Sequence, residues 1–428
     1  MPPPDAPPAA EGEIPLFSVD QAINACLMAD PQIKAGLEAI RQANGDWIQS
    51  SLKPNPWFNI SQTLNPLEHW TPTRQGGPPQ FDTGIAMPID WYLFGKQAAA
   101  MLAAQQGVRV SESQYADVIR VRVMQTSMAY FDALEAQAML ELARENLQNL
   151  TEVEEAQAKL VREGLRADVD LKRIRLDVLA GRRLVNTATV DATQTKAALE
   201  TFLGGMRITQ ASLSPNLPGP LPVEVVEVDQ AYQMAQGIRP DIQALRWQVA
   251  QARAVIELEV RNGKPLVTPK VGYTHQFQNV IGFPDANSWG VGVDMSLPVF
   301  NQNQGNVHKA MAVANQAAFA VRNAEIALHS ELESATQEIR TAVLNSATVA
   351  ESQLQLAGQV RDAITAAYNA GDRPLIDLLD AQRNYRETYR LYITARAGFW
   401  RAFYRYNAAI GQQVLIHDAG QDPTGPGG

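Results

Sequence analysis

The sequence predicts a mainly α protein with a small β part, in which duplicated long helical hairpins form an α-barrel and four strands are contributed by each chain. Three observations predict it. The chain is written twice: Ser18-Val19-Asp20-Gln21-Ala22-Ile23 returns as Glu227-Val228-Asp229-Gln230-Ala231-Tyr232, and Asp30-Pro31-Gln32-Ile33 returns as Arg239-Pro240-Asp241-Ile242. Each copy holds a Pro-free run rich in Ala, Gln, Glu, Leu and Arg that is far longer than a compact domain uses. Each copy also holds two segments that alternate apolar with small or polar residues.

The spacing between copies stays near 209 residues. Met87-Pro88-Ile89 matches Leu297-Pro298-Val299, Gly95 matches Gly305, and Gly164-Leu165-Arg166-Ala167-Asp168-Val169-Asp170-Leu171 matches Gly371-Asp372-Arg373-Pro374-Leu375-Ile376-Asp377-Leu378. A unit of that length is a duplicated half-structure rather than a solenoid repeat.

Taken in order, residues 1–17 are Pro-rich and read as disordered, and residues 18–213 form the first repeat. That repeat opens with a helix from Ser18 to about Ser51, with Ser18 or Asp20 at its N-cap, ended by Pro54 and Pro56. Strands follow at about 56–65 and 81–91, joined by a Gly/Pro-rich loop. A helix over about 96–163 would rise roughly 100 Å, and a return helix covers about 167–203. A connector at 214–227 leads to the second repeat, 228–412, with a helix, strands at about 269–279 and 289–299, a long helix at about 304–370 and a last helix at about 375–410. In that last helix Tyr385, Tyr389, Tyr392, Phe399, Phe403 and Tyr406 form a stripe at helical spacing, a packing seam rather than a ligand site. Residues 413–428 read as a disordered tail.

Composition removes several classes. A net charge of −9 without a Lys/Arg block argues against nucleic acid. Cys26 is the only cysteine, so neither an intrachain disulfide nor a cysteine zinc site is available, and it reads as a small buried helix residue rather than an acylation site. The five histidines are scattered rather than set at metal-ligand spacing. No apolar run reaches the roughly 18–20 residues of a transmembrane helix, and Met1-Pro2-Pro3-Pro4-Asp5 lacks the basic and apolar regions of a signal peptide.

The four strands have the length and dyad pattern of outer-membrane barrel strands, with Trp57, Trp91, Tyr92, Trp289 and Phe300 near their ends where an interface belt would sit. A half-buried sheet of a soluble protein alternates in the same way. Four strands cannot close around a water-filled lumen, and a bilayer tolerates no open edge. In the membrane reading several chains therefore share one barrel. Three would give a trimeric twelve-stranded transmembrane β-barrel, with Ser61, Thr63, Gly272, Thr274, Gly290 and Gly292 facing inward.

Three segments carry a family resemblance. Leu297-Pro298-Val299-Phe300-Asn301-Gln302-Asn303-Gln304-Gly305-Asn306, Tyr368 through Gln382, and Asn407-Ala408-Ala409-Ile410-Gly411 resemble the strand-to-helix corner, the helix-turn-helix tip and the final helix of TolC-like outer-membrane efflux proteins, the first with a heavy-metal flavour. The resemblance covers about Ser18 to Gln412. It implies a homotrimeric channel-tunnel in outer-membrane lipid whose helices extend into the periplasm. A periplasmic adaptor and an inner-membrane pump of the RND type would be its partners, and metal ions or small toxic compounds its cargo.

Carried onto this chain, the resemblance makes Tyr368 and Arg373 lock residues of the periplasmic gate, with Asp170 their acidic partner and Arg166 the first-copy counterpart of Arg373. Asp377 and Asp380 become carboxylate rings at the pore constriction, Gly164 and Gly371 the tip turns, and Pro88, Gly95, Pro298 and Gly305 the strand-to-helix corners. Asp377 and Asp380 do share a helix face, where three copies would favour cations; they also flank a helix start, where the macrodipole stabilises a carboxylate without any pore. The expectation is a passive duct with no active site, cofactor or bound metal, because no nucleophile elbow, phosphate loop or metal cluster is present. A soluble coiled-coil scaffold is the alternative, and detergent dependence separates the two.

Overall fold

A computed structural model of the chain describes residues 17–63, 78–165, 167–209, 213, 216–346 and 350–412. The expected disorder of the two termini and the loop tip between the first two strands lie outside the described residues. Two compact units are present. One draws on the described residues of Met1–Gly36, Tyr115–Pro240 and Glu325–Gly428, the other on those of Leu37–Gln114 and Asp241–Ala324.

The element order is α1 (Val19–Ala29), α2 (Pro31–Ser51), β1 (Trp57–Thr63), β2 (Gln80–Ala86), α3 (Asp90–Leu93), α4 (Lys96–Arg162), α5 (Asp168–Phe202), α6 (Val228–Ile238), α7 (Pro240–Asn262), β3 (Val267–Gln276), β4 (Ala286–Met295), α8 (Gln304–Leu344), α9 (Ala350–Asn369) and α10 (Leu375–Ile410), with a 3-10 turn at Gln278–Ile281. Ser18 caps α1 in a capping box with Gln21: the Gln21 amide donates to Ser18 Oγ at 3.2 Å and the Ser18 amide to Gln21 Oε1 at 3.1 Å.

The single opening helix expected from Ser18 to Ser51 is two helices, divided at Asp30. Pro31 cannot continue the hydrogen-bond ladder of α1 and forces the residue before it out of the helical region, yet it suits the first position of the next helix. The second copy repeats the break at Arg239 and Pro240.

The strand expected to reach residue 91 stops at Ala86. Pro88 offers no donor, and α3 turns the chain into α4 while the Met87 and Ile89 amides still reach Pro269 O and Val267 O. The strand expected at 289–299 likewise ends at Met295, short of Pro298. Over the expected helix at 304–370 the described residues form α8 and α9, with 347–349 outside the described residues. The helix over Lys96–Arg162 is continuous.

In the helical unit the core lies among α4, α5 and α10. Leu150, Ile174, Val178, Leu375, Leu378 and Leu379 form one buried cluster near the hairpin turns, and Ala136, Leu140, Ala143, Ala188 and Ala192 form another, small enough for close helix approach. The Phe131 ring stacks on that of Trp400 at 5.2 Å with 4° between planes, and Phe399, Phe403 and Tyr406 are buried as the packing seam expected of them. In the other unit the strands form one antiparallel sheet in the order β1-β2-β3-β4.

Candidate functional site: a two-faced sheet and a hairpin tip

The register aligns the sheet into rows of opposite chemistry. Phe58, Ile85, Val271 and Val291 are successive cross-strand neighbours, and the next row on that face is Ile60, Thr83, Tyr273 and Trp289. Val291 is 87 % exposed and Trp289 77 % exposed, although both belong to a regular strand paired along its length with β3. The intervening rows are Asn59, Gly84, Gly272 and Gly290, then Ser61, Asp82, Thr274 and Ser288. All six residues expected on the polar face (Ser61, Thr63, Gly272, Thr274, Gly290, Gly292) stand on it.

This face is bound together by polar groups. Thr274 Oγ1 donates to Asp82 Oδ1 at 2.6 Å, Gln80 Nε2 donates to Asp82 Oδ2 at 3.0 Å, and Lys270 pairs with Asp294 at 2.7 Å. Gly84 has no room for a side chain: a Cβ there would lie 2.9 Å from Asn59 Oδ1 and 3.0 Å from Val271 O. Among the described residues of one chain, β1 and β4 each keep an unpaired edge.

At the corner before α4, Gly95 is left-handed (φ 63°) and its carbonyl accepts from Arg261 Nη1 at 3.0 Å. The left-handed residue of the second corner is Asn303 (φ 65°), whose side chain donates to Glu259 O at 2.9 Å; Gly305 is already inside α8. Asparagine replaces glycine there because its short polar side chain tolerates this conformation. Pro88 and Pro298 lie just beyond the ends of β2 and β4.

The tip lies in the helical unit. Gly164 (φ 76°) and Gly371 (φ 85°) end α4 and α9 in matching left-handed turns, closed by Leu165 N–H to Leu160 O and Asp372 N–H to Ala367 O, both at 2.9 Å. Tyr368 packs against the Leu375 cluster, and its hydroxyl donates to Oε1 of Gln157 at 3.1 Å. Gln157 is 1 % exposed, and its Nε2 has no partner among the described residues. Arg373 pairs with Asp377 at 3.2 Å, and Asp380 with Arg383 at 3.4 Å.

Among the described residues of this one chain, no ion pair joins Asp170 to Arg373. Asp170 lies in the first turn of α5, where the macrodipole favours it. Arg166 lies outside the described residues. Gln157 was missed by sequence reasoning because a lone Gln in a charged helix gives no signal. It becomes visible only once α4 and α9 are set side by side.

No helix among the described residues is long and apolar enough to cross a membrane, and none of their His, Cys, Asp and Glu side chains gather as a metal site.

Residues 19–205 and 231–412 match the family model described as "Outer membrane efflux protein". The cobalt-zinc-cadmium resistance protein CzcC of Cupriavidus metallidurans is 23 % identical over 370 residues, covering 86 % of this chain and 83 % of its own. Outer membrane protein TolC of Vibrio cholerae is 24 % identical over 358 residues, covering 74 % of each. Among solved structures, CusC superposes with a TM-score of 0.73 at 18 % identity over 92 % of each chain. The Campylobacter jejuni CmeC outer membrane channel superposes with a TM-score of 0.76 at 16 % identity over 96 % of this chain and 93 % of its own.

Proposed function

Because the chain belongs to the outer membrane efflux protein family, we propose that three copies of it assemble into the passive outer-membrane duct of a tripartite export system. The observation that carries this reading is the sheet. Its apolar rows are exposed, its polar rows lie on the opposite face, and both edges are open among the described residues. A bilayer supplies no water to satisfy an open edge, so the edges must be met by sister subunits. Three sheets give twelve strands, with the Val291 rows toward lipid and the Asp82 and Thr274 rows toward the lumen. The named role of CzcC in cobalt, zinc and cadmium resistance supports metal ions as cargo, with small toxic compounds as the wider class. A periplasmic adaptor and an RND-type inner-membrane pump complete the system.

The tip is the proposed gate. Tyr368 on Gln157 ties the hairpin of the second copy to that of the first, Arg373 on Asp377 braces the second-copy turn, and Arg166 and Asp170 are the first-copy lock residues. Threefold symmetry would bring Asp377 and Asp380 to the axis as six carboxylates, favouring cations.

Purification tests the assembly. The protein should require detergent and sediment as a trimer; a monodisperse monomer in detergent-free buffer would rule the duct out. For the gate, joint replacement of Tyr368→Phe and Arg373→Ala should raise single-channel conductance in planar bilayers, and unchanged conductance would remove the lock assignment.

A further inference from the structure

The two copies differ at one buried pair of positions in a way that simple repetition would not produce. In the first copy Asp30, fully buried between α1 and α2, accepts from Arg122 Nε at 3.0 Å and also from its Nη2. Arg122 lies on α4, 92 residues further along. In the second copy Arg239 stands at the matching place, 5 % exposed between α6 and α7, and donates from Nη1 to Glu331 Oε2 at 2.7 Å. Glu331 lies on α8, again 92 residues further along. Asp30 and Arg239 are 209 residues apart, and so are Arg122 and Glu331.

The sockets around these pairs have the same backbone. Asp30 has φ −59° and ψ 125°, Arg239 has φ −63° and ψ 123°, and their amides donate to Cys26 O and Ala235 O respectively. Each precedes a proline that begins the next helix. Each socket is also closed by a left-handed glycine at the end of a long helix: a Cβ on Gly204 would strike Ala29, and one on Gly411 would crowd Arg239 and Ile238. The cations reach matching helix ends, Arg122 lying 4.6 Å over the Phe202 ring of α5 and Arg239 donating to Ala409 O of α10 at 3.0 Å. The geometry is conserved between the copies, and the charges are exchanged.

We infer that the exchanged charges form a copy-discriminating clasp, which lets each N-terminal helix pair dock in its own repeat and rejects the pseudo-equivalent socket of the other repeat, in the same chain or a neighbouring one. The apolar pattern discriminates poorly. Val19-Asp20-Gln21-Ala22 and Val228-Asp229-Gln230-Ala231 are identical, Ala22 and Ala231 are both fully buried, and Ile33 and Ile242 fill matching places. A misplaced α1 would set Asp30 against Glu331, and a misplaced α6 would set Arg239 against Arg122. Each is a like-charge pair with at least one member out of water, the form of repulsion that separates right from wrong partners.

The native Cys26 provides the reporter. In its own socket it lies beside Thr126; the position 209 residues later is Ala335, buried in the other socket. In the full-length chain refolded from denaturant into detergent, oxidation of Thr126→Cys reports correct docking of α1, and oxidation of Ala335→Cys reports docking in the wrong socket. Arg239→Asp with Glu331→Arg gives both sockets the same polarity. Adding Asp30→Arg and Arg122→Glu exchanges both pairs and makes them unlike again.

The double variant should raise the wrong-socket disulfide roughly tenfold or more, and the quadruple variant should return it to the level of the native charges. Equal wrong-socket cross-linking with native and double-variant charges overturns the inference, as does a quadruple variant that cross-links like the double. If the double variant does not fold, the mirror pair Asp30→Arg with Arg122→Glu is read in the same way. Failure of both doubles with a folded quadruple supports the clasp, and failure of all three overturns it.

Discussion

In the sheet, Phe58, Ile85, Val271 and Val291 stand side by side and each is more than half exposed, whereas in the helical unit Phe131, Leu140 and Phe399 are at most 1 % exposed. Both regions are regular and hydrogen-bonded, so the difference is not one of order. The helical unit buries its large side chains within the chain and gains the usual transfer energy of about 25 cal/mol per Å². The sheet leaves the same kind of side chain uncovered, while Asp82, Thr274, Lys270 and Asp294 make polar contacts on the opposite face. A single chain therefore completes one hydrophobic core and only presents the other.

Truncating a side chain in each region gives the largest expected contrast. Phe131→Ala removes the stack on Trp400 and should lower the unfolding free energy in detergent by about 3–5 kcal/mol, as large-to-small changes in a packed core do. Phe58→Ala, measured by the same urea titration, should change it by less than about 1 kcal/mol, since this side chain has few protein neighbours to lose. Equal losses would mean that the sheet is covered by protein.

A charge placed on each face of the sheet sharpens the contrast from the other side. In a lipid bilayer Val291→Arg should cost about 2–4 kcal/mol of folding free energy, the penalty for a cation on a lipid-facing strand near mid-membrane. Ser288→Arg, on the polar face, should leave folding nearly unchanged and shift the channel toward anions. Comparable folding penalties for the two variants, read from urea-dependent folding into vesicles, would break the assignment of faces.

Much of this was legible in the sequence because the β signal has a period of two and the duplication supplies each strand with a template. The alternation alone sets Gly272, Thr274, Gly290 and Gly292 on one face. The break at Asp30 was less legible. Helical periodicity continues across it from Ile23 to Ile33, and only the constraint of a following proline marks it. The salt bridges were hidden for another reason. Asp30 and Arg239 are visible as a mismatch within a repeated motif, but their partners lie 92 residues away in long helices with no landmark. The same limit concealed Gln157, which pairs with Tyr368 across 211 residues.

Acid should act on the helical unit through Asp30. Burial alone would push the Asp30 carboxyl up, but the Arg122 guanidinium and the Ile33 and Gln32 amides outweigh it and hold the group below the ordinary carboxylate range. A group depressed in this way contributes stability above its unfolded value of about 4, and the contribution is lost as pH falls through the lower folded value. Thermal stability in detergent should therefore decline below about pH 4. Asp30→Asn should be less stable at neutral pH and should show a shallower decline; an unchanged acid profile would remove Asp30 as a source of it.

The smallest stability effect belongs to the tip, and there stability and conduction should separate. The Arg373 and Asp377 side chains are 57 % and 32 % exposed, so solvent screens their attraction and the pair contributes about 0–1 kcal/mol to folding. Arg373→Ala should therefore leave the melting temperature within a degree or two, given that about 1 kcal/mol moves a chain of this size by no more than ~2–4 °C. The same variant should increase conductance, because a weak contact that adds little to a large folded unit can still bias a hinge lying within a few kcal/mol of its open form. A drop in stability comparable to that of Phe131→Ala, with conductance unchanged, would place Arg373 with the packed helices instead of with a movable tip.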